Sequence, residues 1–527
     1  MRAFFYLQKV CDFIQSYEII LNNQLSIINY FVSLHLRMEN LKEKTARGLF
    51  WGALNNGSTQ VLNLLIGIAL ARMLSPEEWA PVGVITIFSA IAGNLQSSGF
   101  STAIVNMKQP TANDYNAMFW FNVLCSVAVY CVLFLAAPLI AAFFEMPCLT
   151  SLSRLIFLSF FISSFGISTH AFMLKNMMNR EIAIVSLTSL VCSGVVAVVL
   201  AVLHYSYWAL AWQQITGSAV LVIGRFFMVS WRPSLRVDFS PIRRTFRFSM
   251  NILVTMIINT VNSHILTFIF GKLFTRTPQV VGNFFQASKW NTMAYQMVGG
   301  TIDQVSQPVL VSVRDDEGDR EVRVFRKMLR FTALLAFPAM FGLSLVSGEF
   351  IQVTIGQKWA DCVPMLRTLC IGGAFMPFYS LYKNLVLSQG RSDVNMWLNI
   401  GQIAAQMAVI LLTFRHGIAA VVWAYTLLNI LWLLPWQFYA RRLIGVRLWH
   451  VASDVLPFVL VAGGVMLLTG WLTQPIGHPL LLLAVRVPVA ALLYVVAMKL
   501  LRVRMMDECI SFLKHRILKT PSNSDQT

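Results

Sequence analysis

Long apolar runs, separated by short polar joints, recur along almost the whole chain. Each run holds roughly 17 to 25 residues, the length that a helix needs to cross a hydrocarbon core about 30 Å thick. Only 12% of the residues are charged, against roughly 25% in soluble domains, so we predict an all-α, multi-pass membrane protein. The predicted spans number fourteen and lie at 50–71, 80–99, 117–142, 151–171, 182–203, 208–230, 249–270, 281–307, 331–347, 364–387, 395–414, 417–438, 453–473 and 480–500.

The lysines and arginines predict the orientation of these spans, because joints on the cytoplasmic side of a membrane are enriched in them. They concentrate in the segment before residue 50, in every second joint after it and in the tail from 499. The intervening joints carry few: Arg72, Arg154, Lys272, Arg276, Lys358 and Arg415. Both termini are therefore predicted to be cytoplasmic, with 72–79 and 348–363 outside. The net charge of +18 reflects this topology, and its dispersal over many joints disfavours nucleic-acid binding.

The sequence lacks the motifs of several common enzyme classes. It contains no GxxxxGK[ST] phosphate loop, no HExxH and no GxSxG, which are the usual signatures of ATPases, zinc proteases and serine hydrolases. The eight cysteines show no CxxC spacing, so neither a metal site nor a disulfide framework is expected. We predict no catalytic residues and no cofactor, and we look for function inside the membrane.

A weak internal repeat relates residues about 200 apart. TARGLF (45–50) aligns with TFRFSM (245–250), and ALARMLS (69–75) aligns with IFGKLFT (269–275), with a proline following each copy. Both copies begin an outward span after a basic joint, so they share one orientation, as in parallel transporter repeats. We predict two six-helix lobes related by a pseudo-two-fold axis along the membrane normal, plus two C-terminal helices. The predicted segments are 1–37, an extension outside the lobes; 38–240 and 241–440, the lobes; 441–500, the last two helices; and 501–527, a cytoplasmic tail.

The span 281–307 is unusually polar for a membrane helix. Lys289, Gln296 and Asp303 are seven residues apart and fall on one stripe of a helix with 3.6 residues per turn. A charged side chain at mid-membrane costs about 2.5 to 3.5 kcal/mol on insertion scales and usually marks a transport pathway. We therefore expect the stripe to face a hydrated cavity between the lobes.

Amides form similar stripes on neighbouring spans, and they extend the predicted cavity. Packing between helices is the alternative role for each of these amides, because buried amides also bond adjacent helices. The predicted cavity residues are Lys289, Asp303, Gln296, Arg72, Lys272, Asn259, Asn262, Asn56 and Gln60.

Several stretches together resemble one known family. They are LKEKTARGLFWGALNNGSTQVLNLLIGIALARMLSPEEWA (41–80), GFSTAIVNMKQPTANDYNAMFWFNV (99–123), VGNFFQASKW (281–290), QPVLVSVRDDEGD (307–319) and GQKWADCVPMLRTLCIGG (356–373). The chain resembles the bacterial polysaccharide transporter family, whose members include O-antigen and exopolysaccharide flippases of the multidrug/oligosaccharidyl-lipid/polysaccharide (MOP) superfamily. The sequence departs from the family pattern at Trp79 and Ala80, where a glycine usually follows S-P-E-E-[FY].

This resemblance implies a function. Members of the polysaccharide transporter family move polyprenyl-diphosphate-linked oligosaccharide across the bacterial cytoplasmic (inner) membrane by alternating access. Related flippases use cavity arginines near the position that corresponds to Arg72. The implied partners are the lipid-linked substrate, membrane lipids, a coupling ion such as H⁺ or Na⁺, and polymerase and chain-length proteins. Two alternatives stay open: a cation-coupled multidrug antiporter of the same superfamily, and a membrane glycan polymerase or acyltransferase. The short outside joints disfavour the enzyme, since they leave little room for an external catalytic domain.

Overall fold

The fold is described from a computed structural model, which covers residues 51–52, 54–97, 104, 107, 109–235, 238–314, 320–501, 503, 505 and 506. The predictions for 1–37, for the tail after residue 506 and for the 45–50 copy of the repeat lie outside these residues. All regular secondary structure in the described part is helical.

The helices follow the apolar runs and are numbered here in chain order. They are α1 (54–73), α2 (Pro76–Ser97), α3 (Ala112–Phe143), α4 (Leu149–Ser164), α5 (Ile167–Lys175), α6 (Asn179–Val202), α7 (Trp208–Met228), α8 (Ser240–Leu273), α9 (Pro278–Ser312), α10 (Arg320–Thr354), α11 (Cys362–Gly373), α12 (Met376–Ser388), α13 (Ser392–Thr413), α14 (Ile418–Leu431), α15 (Leu433–Ile444), α16 (Leu448–Leu472) and α17 (Pro479–Leu500).

Nine helices or helix pairs of the described part are long and apolar enough to cross a membrane, or ten if the bent pair α4–α5 is one span. The protein is therefore an all-helical, multi-pass membrane protein. The other four predicted spans coincide with α1, α2, α7 and α9, which are also helical. Their polar side chains lower their hydropathy, and the count of fourteen remains a prediction.

Local sequence sets several helix boundaries. Prolines occupy the first turns of α2, α9 and α17, where a missing N–H costs nothing. Thr111 and Asp114 form a capping box at the start of α3. The α4–α5 pair bends by 42° beside Gly166, whose carbonyl accepts a hydrogen bond from Arg225 at 3.0 Å.

Helix α2 packs against α8 and α9, so it joins the two predicted lobes. The contact is close because of glycine: a Cβ on Gly282 would lie 1.8 Å from the Pro76 carbonyl oxygen, and one on Gly83 would lie 2.9 Å from the Phe285 ring. The approach of α2 to α9 therefore requires glycine at position 282.

The repeat reappears as a local structural unit. Helix α1 carries Arg72 in its last turn and is followed by α2 from Pro76, while α8 carries Lys272 in its last turn and is followed by α9 from Pro278. We call the end of the bundle that holds these two turns the outer end, after the orientation predicted from the charges. The axis that relates the whole lobes remains a prediction.

The last two helices are attached to α10. Near one end, Arg326 and Arg330 bind both oxygens of Asp454 on α16, at 2.6 and 2.8 Å. Near the other, Arg486 of α17 pairs with Glu349 at 2.7 Å. Three ion pairs, at two places along α10, thus hold α16 and α17 against the predicted C-terminal lobe.

Candidate functional site

A cavity of about 540 Å³ lies between the predicted lobes. Five helices contribute to its wall, namely α1, α2, α7, α8 and α9. Four of these five are the helices with low hydropathy noted above. Some of the polar residues of these four helices, among them Gln60, Asn63, Gln213, Lys289 and Gln296, line this one space. The lining residues are Gln60, Asn63, Ile66, Gly67, Leu70, Trp79, Thr86, Gln213, Ser263, His264, Thr267, Phe285, Ser288, Lys289, Thr292, Met293, Tyr295 and Gln296.

Lys289 is the one lysine or arginine among these lining residues. Its ammonium lies 4.9 Å from the centre of the Trp79 ring, a cation–π contact between α9 and α2. A Cβ on Gly67 would come within 3.1 Å of the same nitrogen, so the glycine leaves room for the ammonium group. Within the described part of the chain no carboxylate pairs with Lys289. Its charge is therefore available to an anionic ligand.

The rest of the wall carries one further ionisable base, the imidazole of His264, and otherwise combines amides with aromatic rings. Gln60, Asn63, Gln213 and Gln296 supply amides, and Ser and Thr side chains of α8 and α9 add hydroxyls. Three aromatic rings line the same space, those of Trp79, Phe285 and Tyr295. Amides can bond sugar hydroxyls and aromatic faces can cover the apolar faces of sugar rings, so this lining suits a polar, uncharged chain attached to one anionic group.

A second, smaller cavity of about 110 Å³ opens beside the first, inside the predicted C-terminal lobe. The two share the lining residues Ser263, Thr267, Ser288, Thr292 and Tyr295. Asn262, a predicted cavity residue, lines this smaller space and donates to Asn399 at 3.1 Å and Gln402 at 3.0 Å. Its amide is therefore engaged with other helices, as the packing alternative expects.

Asp303 lies away from both cavity walls, although the stripe predicts it there. Its carboxylate accepts hydrogen bonds from Ser380 at 3.1 Å and Asn384 at 3.0 Å, and it pairs with Lys383 at 3.3 Å. The fourteen residues between Lys289 and Asp303 span about 21 Å of helix, so one residue meets the cavity while the other meets α12.

Arg72 and Lys272, both predicted for the cavity, lie at the outer end instead. Arg72 donates to the carbonyls of Val353 and Thr354, each at 2.6 Å. Lys272 donates to the carbonyl of Phe143 at 2.7 Å and pairs with Glu145 at 3.1 Å. Cations in the last turn of a helix reach beyond its end, where carbonyls of neighbouring helices attract them.

The remaining predicted residues divide between wall and surface. Gln60 and Gln296 line the large cavity. Asn56 and Asn259 are exposed and line neither cavity. A spacing of three or four residues places side chains on one stripe of a helix, but it does not say which neighbour the stripe meets.

Two features of the site were missed at the level of sequence. One is the aromatic part of the cavity wall. Trp79, where the sequence departs from the family pattern, is the residue that could have indicated it. The other is an amide stripe on α13, formed by Asn395, Asn399, Gln402 and Gln406 at spacings of four, three and four. Gln402 and Gln406 both donate to the side-chain oxygen of Asn429, at 2.8 and 2.9 Å.

Among the described residues, no three His, Cys, Asp or Glu side chains are arranged to hold a metal ion.

The sequence matches a known protein family and resembles known proteins. Residues 69–364, more than half of the chain, match the family described as polysaccharide biosynthesis protein. The chain is 26% identical over 367 residues to the lipopolysaccharide biosynthesis protein WzxC of Escherichia coli (strain K12). The aligned region covers 68% of this chain and 73% of that protein.

Solved structures show the same fold. The lipid II flippase MurJ, in an inward closed conformation, matches 86% of this chain and 98% of its own with a TM-score of 0.68 at 14% identity. A multidrug resistance MATE family transporter of the MOP superfamily, in an inward-facing conformation, matches 73% of this chain and 94% of its own with a TM-score of 0.61 at 14% identity. The match along its sequence shows that the chain belongs to the polysaccharide biosynthesis protein family, and its fold is the one shared by the MurJ and MATE structures.

Proposed function

We propose that this transporter is a flippase that moves a polyprenyl-diphosphate-linked oligosaccharide across the bacterial inner membrane for surface polysaccharide assembly. Its two six-helix lobes rock about the large cavity, which opens to each side in turn. The diphosphate and the sugars occupy the cavity, and the polyprenyl tail stays in lipid.

The observation that carries this proposal is the charge of Lys289, which no carboxylate among the described residues pairs with, in a space lined mainly by amides, hydroxyls and aromatic rings. A buried charge without a partner is costly, and a cationic ligand would add to that cost. An anionic head group offsets the cost by pairing with the ammonium. The E. coli relative is named for lipopolysaccharide biosynthesis and the MurJ structure for lipid II, and both names agree with a glycan substrate.

Deletion of the gene in its own host tests the proposal. The expected result is loss of a surface polysaccharide, together with accumulation of its lipid-linked oligosaccharide on the cytoplasmic leaflet. The wild-type gene on a plasmid should reverse both effects. Normal surface polysaccharide in the deletion strain, with no other flippase gene expressed, would refute the proposal.

A cation-coupled multidrug antiporter is the second candidate, because the MATE structure shares the fold. Such a transporter needs a free carboxylate for its cationic cargo or ion. No carboxylate lines either cavity in the described part, and Asp303 is engaged by Lys383, Ser380 and Asn384. Increased sensitivity of the deletion strain to cationic dyes, with unchanged polysaccharide, would favour this candidate.

A further inference from the structure

At the outer end, helix α1 exchanges hydrogen bonds with α10 and with the short turn Gln357–Trp359 that follows α10, although these segments are about 280 residues apart in sequence. Arg72 of α1 donates through Nε to the Thr354 carbonyl and through Nη2 to the Val353 carbonyl, both at 2.6 Å. In the opposite direction, Trp359 donates through Nε1 to the Ala71 carbonyl. Lys358 donates through Nζ to the Arg72 carbonyl, and both of these bonds are 2.8 Å long.

The exchange has a simple physical basis. The last four carbonyls of a helix lack partners within that helix, and they form the negative end of its dipole. Each lobe supplies the cation that binds the carbonyls of the other lobe, so these bonds exist only while the lobes touch, and water must replace them when the lobes separate. Trp359 is fully buried, and its indole N–H therefore also needs this contact.

The contact lies on the route that joins the cavity to the outer side. Trp79 and Leu70 line the cavity at its outer end and are almost fully buried. Next to them Gly282 meets the backbone of Pro76, with no room for a Cβ. In this structure the outer end is therefore closed by packing, and the four exchanged bonds lie across the closure.

We propose that Arg72, Lys358 and Trp359, with the carbonyls of Ala71, Arg72, Val353 and Thr354, form an outer latch that must break before the cavity can open outward. The latch holds the lobes together at this end, and its release frees both helix ends to be solvated by water. The inference rests on the proposed function only in taking the cavity as the transport route.

A thiol-accessibility experiment tests the latch without any substrate. The eight cysteines are replaced by serine or alanine, and Ser288→Cys places a single thiol in the cavity wall. A membrane-impermeant thiol reagent is added to right-side-out spheroplasts and, separately, to inverted membrane vesicles. Arg72→Ala and Trp359→Phe are each expected to raise the labelling rate from outside roughly tenfold, since each removes hydrogen bonds present only in the closed state. Labelling from inside should fall.

Two matched variants sharpen the result. Arg415→Ala removes an exposed cation from the turn Phe414–His416, where its guanidinium lies 5.8 Å from the centre of the Phe414 ring, and should leave both rates unchanged. Gly282→Ala cannot form the closed packing and should also raise outside labelling. Trp359→Phe keeps an aromatic ring in the buried position and removes only the indole N–H donor. It therefore still tests the latch if the Arg72→Ala protein does not fold. Unchanged outside labelling in a folded Trp359→Phe protein would overturn the latch.

This experiment separates the two claims. Labelling that rises in the latch variants, together with normal surface polysaccharide in the deletion strain, would support the latch and contradict the proposed function. Loss of polysaccharide in the deletion strain with no effect of the latch variants on labelling would do the reverse.

Discussion

Lys289 is held in the cavity wall by its neighbours on two other helices. Gly67 of α1 leaves room for the ammonium, and Trp79 of α2 offers its ring at 4.9 Å. Both contacts lie in the predicted N-terminal lobe, while the lysine itself belongs to the C-terminal lobe. The charge is therefore positioned between the lobes, where a bound anion would touch both.

The first prediction concerns this charge. Lys289→Arg should keep part of the polysaccharide export, Lys289→Ala should lose roughly ten- to a hundredfold, and Lys289→Glu should be worst. The loss follows from removing a charge-assisted hydrogen bond of about 1.5 to 3 kcal/mol, and the glutamate adds repulsion in a poorly screened site. Export is measured in the deletion strain at matched protein levels. Lys499→Met, an exposed lysine at the end of α17, is the control, and full export by the alanine and glutamate variants would remove Lys289 from the site.

The second prediction concerns the partner of Asp303. Because Asp303 pairs with Lys383 and not with Lys289, a Lys289→Ala, Asp303→Ala double variant should show no rescue of export. The coupling should appear instead between Asp303→Asn and Lys383→Met in thermal unfolding. We expect a coupling free energy between these two substitutions of up to about 1 kcal/mol. It is small because both side chains are more than a third exposed, and exposed ion pairs are weak. Rescue in the first double variant would place Lys289 and Asp303 in contact.

At the scale of helices, α16 and α17 are bound to α10 by ion pairs near both of its ends. Asp454 receives three hydrogen bonds from Arg326 and Arg330. At the other end Arg486 binds Glu349 and also donates to Thr473 at 2.9 Å. These contacts lead us to expect that α16 and α17 move with the C-terminal lobe during transport.

The third prediction tests the buried pair at the outer end. Glu349 and Arg486 are 15% and 13% exposed, and removal of one partner leaves the other charge buried and unpaired. Glu349→Leu or Arg486→Met alone should destabilise the protein by about 3 to 5 kcal/mol, whereas the double variant should recover most of that loss. Unfolding of the detergent-solubilised protein gives the measurement. The exposed pair Arg391 and Asp393 is the matched comparison, and its single variants should change stability little.

At the scale of the whole molecule, the fold shows which transporters the protein resembles in architecture, whereas the charge distribution predicts its orientation in the membrane. The fold matches transporters of the MOP superfamily, whereas orientation in the membrane follows from the lysines and arginines of the joints. The boundaries of the two lobes at 38–240 and 241–440 remain a prediction, as does the cytoplasmic location of both ends.

The fourth prediction concerns this orientation. A cysteine introduced at Lys358 of a cysteine-free protein should react with an impermeant thiol reagent added from outside, and one introduced at Arg323 should react only in inverted vesicles. Both side chains are exposed, so little effect on folding is expected. Replacement of Lys358 also removes one bond of the latch, which does not change the side of the membrane on which position 358 lies. Labelling of position 358 from inside would reverse the topology and, with it, the side on which the latch lies.

The sequence by itself determined the class of protein, the family and the positions of the helices. A hydrocarbon core of fixed thickness demands apolar helices of a narrow range of lengths, so composition and run length suffice for this part. It also indicated that 281–307 carries a functional stripe, because ions in membrane helices are costly and rarely without a role. Lys289 and Gln296 of this stripe line the cavity, as does Gln60, which was predicted from an amide stripe on the first span; their role in transport remains a prediction.

Only the tertiary structure decided which neighbour each polar side chain meets. The spacing of residues fixes a face of one helix, but contacts between helices far apart in sequence depend on how the lobes pack. Arg72 therefore reaches the carbonyls of α10, Lys272 reaches Glu145, and Asp303 reaches Lys383. The same packing brings Trp79 onto Lys289. The site thus depends on contacts across the lobes, which no periodicity within a single helix encodes.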